Sequence, residues 1–271
     1  MIEVNNISFK YAGQKNLVFD DFILELKQDN IYGLLGKNGT GKSTLLYLIA
    51  GLLRPKKGTV SFDGIETKLR KPETLQDIFI VPEEFDLPAM TLDEYVKINR
   101  PFYPLFSTTV LDGCLKDFEL TSDVKLNALS MGQKKKVFMA FALATNTKVL
   151  LMDEPTNGLD IPSKSQFRKV VTQYMTGDRT LIISTHQVHD VEQLLDHILI
   201  LSPQKLLLNA SVAEITDKYT FEYRTPDNME DALYAEPSLQ GNAVIAPRKE
   251  GYAETQVNLE LLFNAVNEGK I

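Results

Sequence analysis

The chain has 271 residues, 29 basic against 36 acidic side chains for a net charge of −7, and 44% hydrophobic residues. At ~150 residues per domain this is one large unit or two small ones, long enough to bury a substantial core. The acidic balance supplies no electrostatic footprint for nucleic acid or anionic lipid, no run approaches the ~18 apolar residues of a membrane span, and the single cysteine, Cys114, rules out an intrachain disulfide and points to a reducing compartment.

The opening residues Met1 to Asn6 carry neither the basic nor the apolar region of a secretory leader, so a cytosolic chain is expected. Ile2 to Phe9 alternates apolar and polar residues with one slip, which predicts a half-buried strand, and Phe22 to Leu26 reads similarly. Ile31 to Leu35 is a continuous apolar run bounded by Asn30 and Gly36, as in a strand covered on both faces. From Lys42 to Leu53 apolar residues recur at helical spacing, with Gly51 near the end and Pro55 as a stop. Thr59 to Phe62 and Ile78 to Val81 are further strands. Between Thr91 and about Ala144 two or three helical patterns appear without a strand. Strands return at Val149 to Met152, Thr180 to Ser184 and His197 to Leu201. After about Lys218, Pro226, Pro237 and Pro247 punctuate short strand-like pieces such as Thr220 to Tyr223. Leu259, Leu262, Phe263 and Val266 then mark a closing amphipathic helix. The expected organisation is an α/β body over residues 1–218, interrupted by a helical subdomain at about 84–145, and a small C-terminal α/β module over 219–271. That module either packs back on the body or helps the chain dimerise.

Gly36-Lys37-Asn38-Gly39-Thr40-Gly41-Lys42-Ser43 satisfies G-x-x-x-x-G-K-[ST]. Glycines let successive N–H groups turn toward one point and form a nest for phosphate oxygens, and the following helix adds its positive N-terminal dipole. Lys42 is expected on the β- and γ-phosphates and the Ser43 hydroxyl on Mg²⁺. The nucleotide site is read as this loop, with Thr44 behind it.

Val149 to Met152 feeds straight into Asp153-Glu154-Pro155. Ligands gather at the carboxyl ends of strands in open α/β sheets, so this pair can face the phosphates. Asp153 is then a Mg²⁺ ligand and Glu154 the general base that polarises water. A solvated turn is the plain alternative, and a buried run leading directly into two acids disfavours it.

Leu129-Ser130-Met131-Gly132-Gln133 resembles the L-S-G-G-Q signature of ATP-binding cassette (ABC) ATPases, with Met131 in place of the first glycine. It lies 20 residues before Asp153 and opens a helical run through Ala144, as in that family. Further matches follow in the family's order. Tyr11 sits where an aromatic stacks on adenine, Gly158-Leu159-Asp160 where a loop follows the acidic pair, and His186 where a switch histidine senses the γ-phosphate and orients Glu154 and water. The resemblance covers about residues 1–215. It implies a RecA-like P-loop ATPase core that binds ATP and Mg²⁺. It also implies two cassettes packed head to tail, each gripping the other's nucleotide through Ser130, Gly132 and Gln133, with Asp160 among the nucleotide-binding residues. The partner cassette is an identical copy or an unlike one, and Ser130 is also a good helix N-cap in its own right.

Two departures stand out. Where the family usually has Gln after the next buried strand, this chain has Glu83, which keeps an oxygen ligand for Mg²⁺ but loses an amide donor and adds negative charge. The alternative is that Glu83 points to solvent. Met131 is strained if its position demands φ > 0. The whole pattern most resembles cassettes of ABC-2-type exporters. It implies an ATP-hydrolysing transporter subunit on the cytoplasmic face of the membrane, served by separate transmembrane permease subunits. A soluble ABC ATPase with a regulatory or mechanical role is the alternative. Aromatics between Glu84 and Phe106 fall in the family region that faces a membrane partner, although the helical subdomain's own core is the plainer account of them.

Overall fold

A computed structural model describes residues 1–175, 179–249, 251 and 253–271. In the first half the chain forms β1 (Ile2–Phe9), β2 (Phe19–Leu26), β3 (Ile31–Leu35), α1 (Lys42–Ile49), β4 (Lys57–Phe62), β5 (Ile65–Glu66), α2 (Pro72–Leu75), β6 (Ile78–Val81), α3 (Leu92–Asn99), α4 (Thr108–Asp117) and α5 (Met131–Ala144). In the second half come β7 (Val149–Asp153), α6 (Ile161–Tyr174), β8 (Thr180–Thr185), β9 (His197–Ser202), β10 (Lys205–Ser211), α7 (Val212–Lys218), β11 (Tyr219–Arg224), β12 (Tyr234–Ser238), β13 (Gly241–Pro247) and α8 (Leu259–Asn267).

The continuous apolar runs make the centre of a six-stranded sheet, ordered β10-β9-β3-β8-β7-β6, in which all neighbours from β9 to β6 are parallel. Every residue of β7 and β8 is buried because helices and a second sheet cover both faces. Alternate residues serve opposite cores. Leu34, Leu151, Ile182 and Leu199 pack with β1, β2, β4 and α1. Leu35, Met152, Ile183 and Ile200 pack with the helical insertion, α6 and the C-terminal segments.

The covering sheet is antiparallel, ordered β2-β1-β4-β5. Its first strand contains the slip seen in the alternation. Register shifts between Val4 and Ile7, where Asn6 adopts φ 48°, so a bulge returns Ile7 and Phe9 to the buried face. Helix α1 ends at Ile49, four residues short of the expected Leu53. Gly51 takes φ 67°, and a Cβ there would lie 2.2 Å from the Thr67 carbonyl oxygen, so the chain must leave the helix at a glycine.

Between β6 and β7 the chain is helical. Helices α3 and α5 begin with capping boxes, Thr91 with Glu94 and Ser130 with Gln133, and Ser107 caps α4. The C-terminal strands form a separate antiparallel sheet, β11-β13-β12. Its apolar face does not make a core of its own. Phe221, Ile245, Leu261, Leu262 and Ala265 join the same buried cluster as Leu35 and Met152. Helix α8 thus packs back on the body. Among the described residues no helix is long and apolar enough to cross a membrane.

Candidate active site

Because β3, β6, β7 and β8 run parallel, their carboxyl ends lie along one edge of the sheet. The segments that leave this edge carry Gly36 to Ser43, Glu83, Asp153 with Glu154, and His186. These segments, together with Tyr11, line one cleft of 550 Å³, with Lys42, Ser43, Thr44, Glu83, Glu154 and His186 among its walls.

The loop after β3 turns through Gly39 at φ 83° and Gly41 at φ 104°. A Cβ on Gly41 would also stand 2.8 Å from Val18 Cγ1 and 3.0 Å from Phe19 Cζ, so glycine is required there twice over. Thr40 is buried, and its hydroxyl donates to the Lys37 carbonyl at 2.9 Å, closing the turn; Lys37 and Asn38 stay exposed. Gly39, Gly41 and Asn38 line the cleft, whereas Gly36 is packed against the Leu201 carbonyl and borders a neighbouring groove. Lys42, only 6% exposed, donates from Nζ to the Gly36 carbonyl at 2.9 Å and faces Glu154 Oε1 at 3.6 Å. Behind the loop the Thr44 hydroxyl meets the Tyr11 hydroxyl at 2.9 Å. The Tyr11 ring is held edge-to-face on Phe9 at 5.0 Å and presents its remaining surface to the cleft.

Both members of the acidic pair are buried. Asp153 pairs in register with Ser184 on the adjacent strand, and the Ser184 hydroxyl donates to Asp153 Oδ1 in a short hydrogen bond. Burial raises the Asp153 pKa. The hydrogen bonds from Ser184 and Ser43 oppose that shift, and the neighbouring Glu154 and Glu83 reinforce it. Glu154 adopts φ 46°, and its N–H donates to the Ser184 carbonyl at 3.0 Å. That backbone turn sends the carboxylate toward His186, whose Nδ1 stands 2.9 Å from Oε1 and whose main-chain N–H approaches Oε2 at 3.4 Å. His189 and His197 lie elsewhere, paired with Glu260 and Asn209 respectively.

Glu83 lines the cleft instead of pointing away from it, and its Oε1 accepts from Asn157 Nδ2 at 2.8 Å. The oxygen donors Ser43, Asp153 and Glu83 suit a hard divalent cation such as Mg²⁺. No three His, Cys, Asp or Glu side chains among the described residues are grouped to hold a metal ion by themselves. The residues therefore fit an ion that completes its coordination with substrate oxygens and water.

Ser130, Gly132 and Gln133 are not brought to this cleft. They form the exposed start of α5, where the Ser130 hydroxyl accepts from the Gln133 N–H at 3.3 Å and Gln133 Oε1 accepts from the Ser130 N–H at 3.0 Å. Within one chain, the helix-cap reading of Ser130 is the one the geometry displays. Met131 is the first helical residue and has no positive φ, so the strain considered for it is absent. Asp160 is likewise outside the cleft. It caps α6 by accepting from the Ser163 N–H at 2.9 Å, and hydrogen bonds from the Ser163 hydroxyl and then its N–H lower the Asp160 pKa.

Sequence reasoning passed over Asn157, Ser184 and Lys135, all of which touch the Asp153–Glu154 turn or its partners. It also missed that α8 lies beside the segment following His186, with Glu260 Oε2 2.8 Å from His189 Nε2. Of the aromatics before Phe106, Phe85, Tyr103 and Phe106 pack on the helical core, whereas Phe102 is 67% exposed.

Residues 19–157 match the ABC transporter family. The chain is 30% identical over 221 residues to the ABC transporter ATP-binding protein YtrB of Bacillus subtilis, covering 81% of this chain and 75% of that protein. It is 31% identical to the bacitracin transport ATP-binding protein BcrA of Bacillus licheniformis, over 76% of this chain and 68% of that one. Among solved structures it is similar to the dimeric post-hydrolysis state of the ATP-binding cassette MJ0796 bound to ADP and Pi. That likeness has a TM-score of 0.68 at 26% identity, over 78% of this chain and 99% of the other.

Proposed function

The chain belongs to the ABC transporter family as an ATP-binding, ATP-hydrolysing subunit, and on that premise we propose how its residues divide the work. The observation that carries the reading is the convergence on the Glu154 carboxylate of Lys42 Nζ at 3.6 Å and His186 Nδ1 at 2.9 Å, beside the glycine loop. Loop amides and Lys42 hold the triphosphate, and Tyr11 stacks on the base. Glu154, held by His186, takes a proton from the water that attacks the γ-phosphorus, and ADP departs with the β–γ bridging oxygen. Ser43, Asp153 and Glu83 would hold Mg²⁺, which when bound neutralises charge on the β- and γ-phosphates.

Ser130, Gly132 and Gln133 lie at an exposed helix N-terminus that can accept a phosphate from another molecule. Their separation from the cleft of their own chain supports a head-to-tail sandwich of two cassettes, which we take to be two copies of this chain. Asp160 belongs to that junction. Membrane subunits on separate chains fit a groove of 660 Å³ between the ATPase core and the helical insertion, bordered by Leu52, Arg70, Leu75 and Phe102. Leu52 and Phe102 expose apolar surface there. The work is done at the cytoplasmic face of the membrane, in an exporter of the ABC-2 type. Residues 1–218 form the motor, with 84–145 as its helical lever, and 219–271 brace it through α8.

The test is the mass in solution of Glu154→Gln with and without Mg-ATP, read by light scattering. An ATP-dependent change from monomer to dimer is expected. A persistent monomer that still binds ATP would overturn the homodimer.

A further inference from the structure

Burying a lysine is costly unless its ammonium finds partners. Lys135 lies one turn into α5 and is only 6% exposed. Among the described residues it forms no ion pair. Instead, Nζ donates to two main-chain carbonyls of one turn, that of Asn157 at 2.7 Å and that of Glu154 at 3.3 Å. Burial lowers its pKa, and the nearby carboxylates of Glu83 and Glu154 act the other way to keep it charged.

The turn it grips needs holding. Glu154 sits at φ 46°, a left-handed conformation uncommon for a residue with a Cβ, and Pro155 behind it disfavours the ordinary helical alternative. Relaxing that backbone would swing the Glu154 carboxylate away from His186 and Lys42. The far end of the turn is tied as well, because the Asn157 amide donates to Glu83. A single buried cation therefore connects the helix that opens at Ser130 to both carboxylates that face the cleft.

We propose that Lys135 is a positioning residue for ATP hydrolysis, fixing the Glu154–Asn157 turn from α5 so that Glu154 is aimed at the attacking water. This rests on the reading of Glu154 as general base. It also gives the helical insertion a direct mechanical hold on the catalytic carboxylate, since α5 is its last helix.

The test compares steady-state ATP hydrolysis and equilibrium ATP binding for Lys135→Met, Lys135→Arg and Glu154→Gln in the full-length chain. Lys135→Met keeps the side-chain length without the ammonium. It is expected to lower kcat on the order of 10- to 100-fold, the scale of an ångström-level misplacement. ATP affinity is expected to stay within about twofold, because the phosphate loop is untouched, and Lys135→Arg is expected to recover most of the rate. If Lys135→Met does not fold, Lys135→Gln carries the same comparison. Parental kcat in Lys135→Met beside an inactive Glu154→Gln would overturn the positioning role and leave the base assignment standing. Equal losses of kcat and ATP affinity would also overturn it, by showing a general structural defect. Parental hydrolysis by Glu154→Gln would remove the premise and the proposal together.

Discussion

Lys42 Nζ and Glu154 Oε1 face each other at 3.6 Å, both side chains only 6% exposed. One ammonium therefore serves both the carboxylate and any phosphate that enters the loop. Removing the Glu154 charge leaves a buried cation without its counter-ion, which a phosphate then supplies. Glu154→Gln is expected to bind ATP several-fold more tightly while losing ~10²–10⁴-fold in hydrolysis, the usual worth of a general base. Lys42→Ala is expected to abolish binding. Calorimetric titration alongside phosphate release checks both, and weaker ATP binding by Glu154→Gln would contradict the shared-ammonium account.

Tyr11 offers a ring to the cleft and a hydroxyl to Thr44, so its two ends can be tested apart. Base–aromatic stacking is worth about 1–3 kcal/mol. Tyr11→Ala is thus expected to weaken ATP binding by ~5- to 150-fold, and Tyr11→Phe by about twofold or less. Equal losses in the two variants would assign the effect to the hydroxyl and not to the ring.

Glu83 adds a negative charge to the rim where the phosphates are proposed to sit, in a cleft already lined by Glu154 and with Asp153 buried beside it. A divalent cation offsets it, so the penalty falls on nucleotide binding without magnesium. Glu83→Gln is expected to improve ATP binding in EDTA by a few-fold and, because a neutral amide replaces a carboxylate ligand, to raise the magnesium concentration needed for half-maximal hydrolysis. Unchanged magnesium dependence would show that the hydrogen bond to Asn157 already keeps this carboxylate out of the phosphates' field.

How much of this was visible in the sequence follows from where the energy lies. The runs at Ile31, Val149 and Thr180 were legible because burial on both faces leaves no room for polar residues. The cleft was legible because parallel strands must deliver their carboxyl ends to one edge. Lys135 was not, since Lys134-Lys135-Lys136 reads as a solvated charge run and only the tertiary fold buries its middle member. Strands β10, β12 and β13 escaped for a related reason. β10 and β12 alternate between half-buried and exposed positions, and Pro237 interrupts the pattern in β12. Their pairing is decided by partners, not by local sequence. Helix α6 buries only Ser163, Phe167, Val170 and Val171, too narrow a stripe to announce itself.

The C-terminal sheet carries its own pH signature. Asp231 lies between Arg224 and Lys249, with Lys249 Nζ 3.0 Å from Oδ2, and these partners hold its pKa down to about 2. An unfolded aspartate titrates near ~3.9. The folded pKa is therefore the lower one, so the stabilisation is fully present above about pH 4 and is lost as the pH falls toward 2. Asp231→Asn removes the charge at every pH. Its melting temperature is expected to fall below the parent's at pH 5 to 7 and to converge on it between pH 4 and 2. Because Phe221 and Ile245 tie this sheet into the main core, the shift should appear in the global transition and not as a separate early phase. A constant offset between the two proteins down to pH 2 would mean that Asp231 acts through its shape and not through its charge.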